Sequence, residues 1–129
     1  MEHFGEHLMI DGYQGSYEKL NDKELVLQSL NELPGILGMH MLADPVVYEA
    51  PSNGKKDPGG WSGFVVIAES HISVHTFPGN GFVTIDAYTC KNGLKVDFIA
   101  DYFKEKFSLG KLEINLVERG KEYRKYVME

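Results

Sequence analysis

"AESHISVHTFPGNGFVTIDAYTC", residues 68–90, holds two of the chain's five histidines and its one cysteine. Runs rich in Val, Ile, Phe and Thr flank the segment Pro78-Gly79-Asn80-Gly81. That composition suits half-buried strands, and PGNG is a strong turn signal. The stretch predicts a hairpin of strands 71–77 and 82–90. With the turn centred near Asn80, partners have numbers summing to about 160. Ser70 then lies opposite Cys90, give or take one residue, and His75 faces the neighbourhood of Ile85. Period-two alternation puts His71, Ser73, His75 and Phe77 on one face and Ile72, Val74 and Thr76 on the other. A kink at Glu69-Ser70 would change the side on which Ser70 emerges.

The spacing His71-x-x-x-His75 would place two imidazoles together on a helix. On a strand, residues four apart are separated by ~13 Å, too far to share an ion. The surrounding residues favour the strand, so no metal site is expected. Taken singly, the other polar residues have ordinary explanations. A histidine on a sheet face is usually a surface or hydrogen-bonded residue. A lone cysteine at a strand end, here Cys90, is more often a small buried hydrophobe than a nucleophile. Glu69-Ser70 suits a turn, Ser62 a strand start, and Asp11 a solvated edge charge.

Working outward, 62–68 (SGFVVIA) reads as a third strand and 5–12 (GEHLMIDG) as another. A helix is expected from NDKEL (21–25), with Asn21 as its N-cap and Glu24 completing a capping box. Leu25, Leu27, Leu30 and Leu33 continue it until Pro34-Gly35 stops it. Residues 38–48 look extended, with Pro45 marking an edge or interruption. APSNGKKDPGG (50–60) is a loop too short to separate domains. Residues 94–107 form an amphipathic helix with Leu94, Phe98, Ile99, Tyr102 and Phe103 on one face, ended by Gly110. KLEINLVE (111–118) alternates as a final strand, and the charged tail after Gly120 is expected to be mobile. This order predicts an α+β two-layer sandwich, a mostly antiparallel sheet with helices on one face.

The 129 residues amount to a single domain spanning 1–129, and 43% of them are hydrophobic. A net charge of −6 argues against a general nucleic-acid binder. The lone cysteine leaves no internal disulfide and no Cys-rich zinc site. No signal peptide is visible at the N-terminus, and no segment approaches the ~20 apolar residues of a membrane helix. The cytoplasm is therefore the expected location, with no membrane association.

"ESHISVHTFP" followed by "GFVTIDAYTC" resembles the prokaryotic S-adenosylmethionine decarboxylases, small pyruvoyl-dependent enzymes. The likeness runs from FGEHLMIDGY to LVERG and is most specific from Ser62 to Cys90. There the intervals also fit: Ser70 eight after Ser62, His75 five further, and Cys90 fifteen further. The resemblance implies a proenzyme that cuts itself between Glu69 and Ser70, giving chains 1–69 and 70–129. Ser70 would become a covalent pyruvoyl group, and no metal is implied. His75 would transfer the proton during elimination, Ser62 would assist processing, and Cys90 would return a proton to the substrate carbon. The pyruvoyl ketone would condense with the substrate's α-amine and draw electrons as carbon dioxide leaves. The product would be decarboxylated S-adenosylmethionine, used in spermidine synthesis. Asp11 lies near an acidic position of the family's first strand, and Phe77 stands where the family usually has Trp. The resemblance also implies a homodimer with active sites near the subunit interface.

Gly79 departs from that pattern, because four residues after the histidine the family usually has a glutamate that binds the substrate ribose. Either another acid replaces it or the substrate has no ribose. An arginine or ornithine decarboxylase on the same fold is the alternative. A non-processing, non-catalytic homologue is a third reading, against which Ser70, His75 and Cys90 all argue.

Overall fold

Why one face of this sheet is buried and the other open follows from its strands, described over residues 2–127 in a computed structural model. In chain order the elements are β1 (Gly5–Tyr13), α1 (Tyr17–Leu20), α2 (Lys23–Ile36), β2 (Val46–Ala50) and β3 (Gly60–Ile67). There follow β4 (Ser70–Phe77), a 3-10 turn (Pro78–Asn80), β5 (Phe82–Thr89), α3 (Val96–Lys106), β6 (Lys111–Arg119) and α4 (Tyr123–Tyr126). The strands form one sheet in the order β2-β3-β4-β5-β1-β6, and every neighbouring pair is antiparallel. This is the expected α+β sandwich.

The alternation of the central strands decides the layers. Leu8 and Ile10 of β1, Val65 and Ile67 of β3, Ile72 and Val74 of β4, and Val83 and Ile85 of β5 are all buried. They pack in one cluster with Val26, Leu30 and Leu33 of α2 and Ile99 and Phe103 of α3. Gly63 shows how closely α2 approaches, since a Cβ there would lie 2.8 Å from Leu30 Cδ1. Intervening residues, among them His7, Asp11, Ser62, His71, His75 and Asp86, point to the uncovered face and are half-buried. The hairpin parity read from the sequence therefore holds, although its register is one residue off. Ser70 pairs with Thr89 and His75 with Thr84. The 3-10 turn closes with Gly81 at φ 60°, shifting the centre of the hairpin by half a residue.

Several expected boundaries move. Asn21 ends α1, and Asp22 caps α2 by accepting the Leu25 N–H at 3.2 Å. Pro34 does not stop α2: it sits buried in the last turn, and the helix runs to Ile36. Of residues 38–48, only Val46 onward joins the sheet, apart from a lone bridge between Met41 and Ile67. Phe98 on α3 is 43% exposed, while Ala100 takes its place in the buried face. That helix ends at Lys106 with Phe107 as its C-cap, and Ser108, not Gly110, adopts the left-handed conformation after it. β6 is an edge strand whose Ile114 and Leu116 stay exposed. The tail is ordered as far as Val127: α4 places Tyr123 against Phe4, with ring centroids 4.8 Å apart. Among the described residues, no helix is long and apolar enough to cross a membrane.

Candidate active site

The sharpest local feature is the turn between β3 and β4. Ile67 pairs with Ser70, so only Ala68 and Glu69 span it. Ser70 has φ 146°, a conformation that L-residues rarely adopt. Holding a side-chain-bearing residue there costs about 1–3 kcal/mol and persists only where neighbours enforce it. Here they do. The Glu69 carbonyl accepts the Cys90 N–H at 2.8 Å, and the Ala68 N–H donates to the His40 carbonyl at 2.8 Å. The Glu69 carboxylate accepts the His40 backbone N–H and meets the ring Nδ1, each at 3.1 Å. The His40 ring and then its backbone N–H hold Glu69 below the usual carboxylate range. Cys90, just past β5, is a free and exposed thiol. The structure thus brings Glu69, Ser70 and Cys90 together, with Cys90 meeting the turn through its main chain.

Ser62 and His75 form a second group. They are cross-strand partners on β3 and β4, and Ser62 Oγ lies 2.9 Å from His75 Nδ1. This pair sits at the opposite end of the β3–β4 hairpin from Ser70. Five residues of strand separate Ser70 from His75, or about 16 Å. Within one chain the two are therefore not in contact.

Between these ends, the uncovered face carries further polar groups. His7 Nε2 lies 2.9 Å from Asp86 Oδ1, and the His7 and His71 rings both border Tyr88. The Arg119 guanidinium lies 4.7 Å from the Tyr88 ring centroid. Asp11 stands beside Glu113 and Thr84. Burial, then the carboxylates of Glu113 and Asp86, raise its pKa above the ordinary value. Phe77 packs on Phe82, and Phe82 on Tyr13, extending an aromatic strip down the same face.

Gly79 is exposed in the 3-10 turn, and a Cβ there would meet only Pro58, at 3.7 Å. The backbone does not require glycine. A cleft of about 270 Å³ opens beside it, lined in part by Tyr17, Glu49 and Trp61, with Glu49 its carboxylate. Sequence reasoning passed over His7, Asp86 and His40. Strand parity carried a signal for the first two, which share a face with Asp11 and His75. His40 lies in an irregular segment with no periodicity to flag it.

Comparison with known proteins converges on one group. A family model described as S-adenosylmethionine decarboxylase matches residues 6–120. An S-adenosylmethionine decarboxylase proenzyme of Clostridium botulinum (strain Hall) is 32% identical over 121 residues, covering 94% of this chain and 98% of the relative. One from Thermococcus gammatolerans is 43% identical over 66 residues, covering 51% of this chain and 46% of the relative. The crystal structure of the adenosylmethionine decarboxylase of Aquifex aeolicus superposes with a TM-score of 0.78 at 26% identity, covering 100% of this chain and 96% of that one.

Proposed function

Because this chain belongs to the S-adenosylmethionine decarboxylase family, we propose that it is a proenzyme that cleaves itself between Glu69 and Ser70 and then decarboxylates S-adenosylmethionine. The observation that carries this reading is Ser70 at φ 146° in a two-residue turn, with the preceding carbonyl already bound by the Cys90 N–H.

Cleavage begins with attack of Ser70 Oγ on the Glu69 carbonyl carbon. The hydroxyl proton passes to the departing Ser70 nitrogen, and an ester replaces the amide. As charge grows on the Glu69 oxygen, the Cys90 N–H bond to it strengthens, which is how an oxyanion donor accelerates a step. Strain at Ser70 is relieved when the peptide bond breaks. A base then takes the α-proton of residue 70, the Oγ–Cβ bond breaks, and Glu69 leaves as a chain-terminal carboxylate. The dehydroalanine that remains takes up water and loses ammonia to give pyruvoyl.

Ser70 and its surroundings fit this group: the serine that would become it is in place, and the exposed Cys90 thiol follows the strand paired with it. Once formed, the pyruvoyl carbonyl supplies the electron sink that loss of carbon dioxide from an α-amino acid needs. In turnover, Cys90 returns a proton to the substrate carbon. A thiol has a proton that it can donate in such a step.

His75 is the base of the elimination step, oriented by Ser62. Its distance from Ser70 within one chain supports a role on the turn of a second chain. A homodimer with a two-fold axis through the uncovered face, between the Ser70 end and the His75 end, sets each Ser62–His75 pair against the partner's turn. An isologous contact of this kind makes both sites at once. Phe64 and Val66, exposed on that face at 45% and 41%, supply apolar surface for it.

Denaturing mass spectrometry tests the cleavage. Two fragments splitting after Glu69, the second blocked by pyruvoyl, are expected; a chain that stays intact on incubation sinks the reading. Carbon dioxide release is expected from S-adenosylmethionine. Gly79, with no carboxylate to bind ribose hydroxyls, is the one observation favouring the arginine or ornithine alternative, and release from those amino acids alone would establish it. Gly79→Glu is sterically free and is expected to tighten nucleoside binding.

A further inference from the structure

The hairpin turn is also gripped from outside the sheet. His40 sits just after α2, on a segment that runs alongside the end of β3 through the Met41–Ile67 bridge and the Leu42 N–H to Val66 carbonyl bond of 2.9 Å. Three hydrogen bonds join His40 to the two turn residues. Its carbonyl takes the Ala68 N–H, its own N–H meets Glu69 Oε1, and its ring Nδ1 meets Glu69 Oε2. The Glu69 side chain is 18% exposed, although it belongs to a turn, while the His40 ring is 78% exposed. The ring therefore contributes little to core packing, and its described hydrogen bond is to the carboxylate of the residue that loses its peptide bond.

We propose that His40 is a positioning residue for self-cleavage, clamping Glu69 by its side chain so that its carbonyl carbon stays aligned with Ser70 Oγ. The proposal rests on cleavage at Glu69-Ser70. The physical case is that a strained two-residue turn relaxes unless both flanks are fixed. The Cys90 N–H fixes the Glu69 carbonyl from one side; His40 fixes the carboxylate from the other. Together they restrict rotation of the scissile peptide, the restriction that turns proximity into a reactive geometry. After cleavage, the same contacts retain the new chain end. Glu69 then carries two carboxylates, and the imidazole and N–H of His40 remain beside one of them.

The test compares maturation rates of the full-length chain, followed by intact mass, for His40→Ala, His40→Asn, Glu69→Ala and the His40→Ala/Glu69→Ala double variant. His40→Ala is expected to slow cleavage about tenfold, the loss of one charge-assisted hydrogen bond in the reactive geometry. His40→Asn, whose side-chain amide reproduces the Nδ1 donor, is expected to recover most of the rate. The double variant should be no slower than the slower single variant, because both remove the same contact. Melting temperature should barely move for His40→Ala, as the ring is exposed. Wild-type cleavage with His40→Ala cleaving equally fast overturns the clamp alone. So do multiplying effects in the double variant, or an Asn variant as slow as Ala. A wild-type chain that never cleaves overturns both this inference and the function it rests on.

Discussion

Two inactive chains should repair each other. Ser70→Ala has no hydroxyl to attack Glu69, and His75→Ala has no imidazole for elimination. Each variant alone is expected to remain uncleaved. Ser70 and His75 lie at opposite ends of the β3–β4 hairpin, about 16 Å apart along the strand, against a hydrogen-bond reach of about 3 Å. If the working pair is formed between chains, a mixed dimer has one complete site. It joins Ser70 of the His75→Ala chain to His75 of the Ser70→Ala chain. Equal co-expression with random pairing makes about half of the dimers mixed. About half of the His75→Ala chains should therefore split after Glu69, and no Ser70→Ala chain should. Intact mass spectrometry reads both, since the substitutions give the two chains different masses. Absence of cleavage in the mixture, under conditions where the wild type matures, would refute the shared-site argument. Cleavage of His75→Ala alone at the wild-type rate would refute the role given to His75.

Other outcomes follow from single contacts. Ser62→Ala removes the partner of His75 Nδ1 and is expected to slow maturation about tenfold without changing the fold, as intact mass and circular dichroism would show. Phe103→Ala, at a fully buried position, should cost about 3–5 kcal/mol, read from a lower denaturant midpoint at unchanged slope. Glu6 anchors the start of the α3 region by accepting the N–H groups of Gly93 and Leu94. Burial pushes its carboxyl up, but the Leu94 N–H, His3 and the Gly93 N–H together outweigh that and leave it below the ordinary value. Its folded pKa is thus lower than its unfolded one, so its contribution is present above the unfolded pKa of about 4.3 and fades as pH falls through the folded one. Denaturant midpoints between neutral pH and pH 3 should fall more steeply for wild type than for Glu6→Gln.

What the sequence made legible was what depends on local alternation. Val and Ile at every second position, broken by PGNG, dictate the β4–β5 hairpin and the side on which His71 and His75 emerge. The same logic placed the strands around it and the layer of helices. Apart from the local shifts at the helix caps, the misses have a common source, since they depend on contacts between residues distant in sequence. Pro34 stays inside α2 because the last turn is buried against the sheet, outweighing the local signal to stop. Phe98 is exposed because α3 turns Ile99, Ala100 and Phe103 to the core instead. β6 alternates as expected and Leu112 packs against the core, yet Ile114 and Leu116 stay exposed on this edge strand. His40 had no local signal at all, and only its hydrogen bonds to Glu69 reveal it.

The candidate site divides along the same line. The family resemblance brought Ser62, Ser70, His75 and Cys90 to notice as a set, but spacing in sequence does not say which of them meet. Antiparallel pairing does. Ser62 must face His75 because β3 and β4 are joined by two residues, and that short joint in turn forces Ser70 to the far end. Ser70 and His75 cannot then be neighbours in one chain, whatever rotamers they adopt. On the proposed reading, the short Ala68-Glu69 turn that strains Ser70 is therefore the same feature that calls for a second copy to bring His75 to it. If the proposed cleavage and pairing hold, lengthening the turn would relax Ser70 and change the β3–β4 register, impairing both together.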